Sequence, residues 1–71
     1  MTPQWTPARA RVLLEMRDAP GNRELVARLG LSLSAVKWHL SQTMRRLRVD
    51  NRYQVALYAR EHAELLKEIT E

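Results

Sequence analysis

A chain of 71 residues with 45% hydrophobic and 28% charged side chains, only 2 Gly and 3 Pro, and a net charge of +4 specifies one small folded domain, 1–71. It holds no cysteine, which excludes disulfide frameworks, zinc ribbons and thiol nucleophiles. Two histidines without a carboxylate cluster at ligand spacing give no metal site to expect, and no nucleophile and base can be paired, so neither an enzyme nor a cofactor is expected.

The elements, in chain order, are all helical. Thr6 before Pro7 starts a first helix over about 7–18, the hydroxyl capping and proline standing where its missing N–H costs nothing. Val12, Leu13 and Met16 share its inner face, and Ala19-Pro20-Gly21 ends it. A second helix over about 22–29 turns Leu25, Val26 and Leu29 inward and stops at Gly30, where a positive φ is tolerated. Ser32 caps a third helix, about 33–48, whose core stripe is Val36, Leu40, Met44 and Leu47. Asn51 with Gln54 resembles a capping box and opens a fourth, long helix over about 52–68.

Only Gly30, Leu31 and Ser32 join the second and third helices, the arrangement of a helix-turn-helix. Opposite its core stripe the third helix carries Ser34, Lys37, Trp38, Ser41, Gln42 and Arg45, a face without an acid. A merely solvated helix mixes signs, so this face points to a polyanion. Charge distribution agrees: residues 1–60 hold eleven basic and four acidic side chains, whereas 61–71 hold Lys67 against four glutamates. Ten of the twelve basic residues are Arg, whose planar fork suits phosphates and base edges.

The run Asn22-Arg23-Glu24-Leu25, then Leu29-Gly30-Leu31-Ser32, then Val36-Lys37-Trp38-His39, then Leu47, Val49 and Asn51-Arg52-Tyr53-Gln54-Val55-Ala56 resembles the LuxR/FixJ (GerE-like) DNA-binding domain over roughly Trp5 to His62. The resemblance implies an all-α, four-helix domain that binds promoter DNA as a dimer, with the third helix in the major groove and the fourth as dimer contact. Carried across, it places Lys37, Trp38 and Ser41 at base edges and Asn22, Arg23, Ser32, Ser34 and Arg45 near phosphates. The chemistry fits: Lys37 donates to guanine O6 and N7, and Ser32 and Ser34 put hydroxyls and free N–H groups at a helix N-terminus. Trp38 is a departure, since family members carry a small residue there; its indole suits a thymine methyl, the core, or a protein partner. Family members also carry an acid near Arg9 or Arg11 and a glycine at Arg48. His39 and His62 read as locally packed.

Along the fourth helix Val55, Tyr58, His62, Leu65 or Leu66, and Ile69 follow a 3,4 spacing beyond the reach expected of the first three helices. A two-fold homodimer would bury them, the competing arrangements being a frayed end or a fold back onto the same domain. The expectation is therefore a cytoplasmic and nucleoid-associated regulator of double-stranded DNA, either stand-alone or the excised domain of a longer one, without a small-molecule substrate. No apolar run approaches the roughly 20 residues of a membrane span, and residues 1–6 lack the regions of a signal peptide. The reading from another class is a protein-interaction module that binds RNA polymerase or another regulator through Trp38 and Leu33.

Overall fold

The computed structural model describes residues 5–70, and over them the chain is all helical. The first helix, α1 (Pro7–Glu15), begins where expected: the Thr6 hydroxyl accepts from the Arg9 N–H at 3.2 Å, with proline at the first position. It ends three residues short of the expected 18. The Arg17 N–H bonds three residues back to the Leu14 carbonyl, the Ala19 N–H bonds to Met16, and Ala19 takes a left-handed φ of 51°, which cannot continue a helix.

The second helix, α2 (Asn22–Leu29), and the third, α3 (Leu33–Leu47), are joined by the short turn at Gly30. Gly30 has a φ of 66°, and its N–H closes α2 on the Val26 carbonyl at 2.9 Å. The Ser32 hydroxyl accepts from the Ala35 N–H at 3.1 Å and fixes the start of α3. At its other end Arg48 lies outside the helix with a φ of 59°, while the Val49 N–H reaches the Met44 carbonyl and the Arg48 N–H reaches Arg45. This is the Schellman closure in which glycine is the usual residue, the physical reason a glycine fits at that position.

The largest departure lies in the C-terminal part. In place of one helix over 52–68 there are two, α4 (Arg52–Glu61) and α5 (Ala63–Thr70), parted at His62. The His62 backbone N–H and, in the Nδ1–H tautomer, its imidazole both donate to the Tyr58 carbonyl at 3.0 Å. Beyond this break α5 turns back onto α1, the most extensive helix pairing in the fold. Leu66 is thereby fully buried in one cluster with Ala10, Leu13, Met16, Leu25, Val36, Val55 and Ala59. Burying a leucine of this kind contributes about 1.5–3 kcal/mol, which the fold collects within a single chain.

The expectation that the C-terminal helix outruns its own domain is corrected on this point, and with it the assignment of Val55 and Leu66 to a dimer contact. Val55 and Leu66 belong to the core, and Ile69 packs against it. Tyr58 accepts a hydrogen bond from Trp5 Nε1 at 3.1 Å and stacks on His62 with ring centroids 4.1 Å apart. Of the six residues Leu65 alone remains substantially exposed, at 39%. No described helix is long and apolar enough to cross a membrane.

Candidate nucleic-acid interface

The core stripe of α3 is oriented by burial of Val36 and Leu40, with Met44 and Leu47 half-buried behind them. That orientation leaves Ser34, Lys37, Trp38, Ser41 and Arg45 exposed together on the outer side. No acid occurs anywhere in α3. Lys37 and Arg45 make no ion pair among the described residues, so their charge is available to an external anion.

The carboxylates of α1, α2 and the turn between them lie at a different place. Arg28, at the end of α2, gathers them: its guanidinium grips Asp18 through two bonds of 2.8 Å, Glu24 at 3.2 Å and the Glu15 carbonyl at 3.2 Å. The paired guanidinium holds the Asp18 carboxyl down at about 2, and the same contact raises Arg28 above its ordinary value. Since Asp18 and Glu24 are both taken by Arg28, the exposed Arg23 on α2 makes no ion pair among the described residues.

Asn22 is half-buried and already engaged. Arg52, at the start of α4, donates to the Asn22 side-chain oxygen and to the Pro20 carbonyl, the latter at 2.8 Å. This link ties α4 to the mouth of α2 and leaves the Asn22 amide N–H groups as donors. Arg52 is thus a structural anchor, a role the sequence did not reveal because its partners lie 30 and 32 positions away. Ser32, with its oxygen receiving the Ala35 N–H, likewise keeps its own O–H to give. The residues proposed for phosphates therefore divide into cations without a carboxylate, Arg23 and Arg45, and neutral donors, Asn22, Ser32 and Ser34.

Trp38 is 55% exposed, so it is not a core residue. Arg9 of α1 lies over its ring, the guanidinium carbon 5.5 Å from the centroid, and the His39 ring meets it edge-on at 5.2 Å. Arg9 was not among the residues singled out for the site, although its departure from the family's acid was the available signal. His39 is half-buried, and its Nδ1 finds no partner among the described residues. Burial, followed by the charge of Arg9, pushes its pKa below the ordinary value of 6.5.

A short turn at Gly30, a capped α3 and an acid-free outer face together define a helix-turn-helix domain of the DNA-binding kind. Residues 6–59 match the GerE model of bacterial regulatory proteins, luxR family, and the chain belongs to this family of DNA-binding transcription regulators. No curated protein and no solved structure matches the chain significantly.

Proposed function

We propose that the chain is a sequence-specific regulator that reads duplex DNA as a homodimer in the cytoplasm, with α3 lying in the major groove. The observation that carries this reading is the outer face of α3, where Lys37 and Arg45 stand exposed and without acids. Lys37, Trp38 and Ser41 supply base choice, while Asn22, Arg23, Ser32, Ser34 and Arg45 hold the backbone. Phosphate neutralisation provides most of the affinity, so the logarithm of the binding constant falls with the logarithm of salt by about 0.9 per contacted phosphate.

The homodimer, in this reading, uses the outward side of α4 in place of the residues now assigned to the core. Tyr53 and Leu57, at 71% and 51% exposure, lie one turn apart on α4, and Leu65 of α5 is exposed as well. Apolar side chains left open on a small domain favour self-association, and a two-fold pair sets two recognition helices about one DNA turn apart.

Selection of bound duplexes from a randomised library tests both parts. Enrichment of an inverted repeat supports the dimeric regulator, and Lys37→Ala then relaxes choice at defined pairs. A single half-site removes the dimer. If the folded protein enriches nothing, the specific DNA reading fails and the exposed Leu33 and Trp38 become anchors for a protein partner such as RNA polymerase.

A further inference from the structure

Trp38 occupies the groove-facing side of α3, yet it is held from outside that helix. The guanidinium of Arg9, carried on α1, lies 5.5 Å above the indole centroid, and His39 meets the same ring edge-on at 75°. Arg9 makes no ion pair among the described residues, and its buried Nε has no hydrogen-bond partner there. A guanidinium in that state is retained by the π face below it, an attraction that strengthens as water is excluded. Thr43, one turn beyond His39, is fully buried on the same side of α3 with its hydroxyl unpartnered. Arg9 and His39 thus both meet the indole, while Trp38 as a whole stays 55% open to solvent.

The consequence for recognition follows from rotamers. An exposed tryptophan on a helix has several staggered orientations, and a ring that samples them presents no single shape to a base pair. We propose that Arg9 is the positioning residue for base choice: it pins the Trp38 indole on the α1 side of the recognition helix, so that its open edge meets one base pair, favouring a thymine methyl. The inference rests on the DNA reading above. Arg9 acts through Trp38 and does not itself touch the base.

The test is parallel duplex selection and salt titration with the wild-type protein, Trp38→Ala, Arg9→Gln, Arg9→Lys, Arg9→Met and the double variant Arg9→Gln/Trp38→Ala, each checked for helical content. Arg9→Gln is expected to lose preference at the same pair as Trp38→Ala, by roughly fivefold or more in relative affinity, the low end of what one mismatch costs. The double variant should lose no more than Trp38→Ala alone, because the two side chains act as one unit. Arg9→Lys, which keeps a cation over the ring, should retain the preference, and Arg9→Met, which keeps an unbranched chain without the cation, should lose it and carries the test if Arg9→Gln does not fold. The salt slope stays at its wild-type value throughout. A loss of affinity equal for all sequences, with the slope reduced by about 0.9, overturns the proposal and makes Arg9 a phosphate contact. Unchanged preference in a folded variant that lacks the cation also overturns it, leaving the stack as packing alone. Failure of the DNA reading looks different, because the wild-type protein itself then enriches nothing.

Discussion

Two arginine–tryptophan pairs join the N-terminal part of the molecule to α3, and they run in opposite directions. Trp5, just before α1, receives Arg46 of α3 at 5.7 Å, whereas Trp38 of α3 receives Arg9 of α1 at 5.5 Å. The chemistry is shared but the surroundings are not: Trp5 is 6% exposed and bonded to Tyr58, while Trp38 is 55% exposed. A buried indole makes its energy by leaving water, and changing it costs the fold. An indole half in water holds little of the fold's free energy, and the same contact there serves to fix an orientation.

The sharpest way to break this comparison is to truncate both rings. Trp5→Ala should cost about 3–5 kcal/mol, most or all of the stability of a domain this small, seen as loss of the cooperative transition in urea. Trp38→Ala should cost under about 1 kcal/mol and leave helical content intact, with its effect on the base pairs selected. Equal losses from the two would remove the distinction.

Next in size is the contrast within the C-terminal part. Leu66→Ala should destabilise by about 2–5 kcal/mol because the cavity opens between α5 and α1. Leu57→Asp should convert the proposed dimer to a monomer in sedimentation and leave the urea midpoint nearly unchanged at dilutions where the wild-type protein is itself monomeric. If Leu57→Asp stays dimeric, the interface lies elsewhere.

Smaller still are the titrating groups. The fold holds His39 with a pKa below 6.5, so the unfolded chain binds more protons and stability falls as pH drops through 6.5. Replacing His39 with Asn should flatten the urea midpoint between pH 7.5 and 5. Asp18 works at lower pH: its folded pKa of about 2 against an ordinary 3.8 gives stability that is present above pH 4 and lost towards pH 2. Asp18→Asn should remove that loss, and an unaltered acid limb would show that the Arg28 contact does not persist in solution.

The smallest effect expected is a gain. Arg48 sits at a φ of 59°, where a side chain costs about 1–2 kcal/mol and glycine costs nothing locally. Arg48→Gly should therefore raise the unfolding free energy by up to about 1 kcal/mol, read as a higher urea midpoint, after the greater freedom of glycine in the unfolded chain is subtracted. A fall in the midpoint would mean that the arginine side chain contributes more than its backbone strain costs.

What could be read from the residues alone follows the reach of the interactions. The starts at Thr6, Ser32 and Asn51, the stop at Gly30 and the core stripe through Val36 and Leu40 are encoded within a few positions, by caps and helical spacing. They were sufficient for the helix-turn-helix and for the acid-free face of α3. Gln54 shows the same locality with a small shift, since its side chain reaches the Asp50 N–H, one residue ahead of the cap.

Tertiary structure decided the rest. The 3,4 spacing from Val55 to Ile69 states only that an apolar stripe must leave water, and a partner chain or α1 serves that need equally well. With neither proline nor glycine at His62 to mark a break, the fold of α5 onto α1 has no local signal. The grip of Arg52 on Asn22 and the placement of Arg9 over Trp38 are likewise pairings between distant positions. Sequence by itself determined the helix starts at Thr6, Ser32 and Asn51 and the charged face, because those depend on neighbours along the chain. Which apolar side chains are spent on the monomer, and which way Trp38 is held, depends on neighbours that only packing brings together.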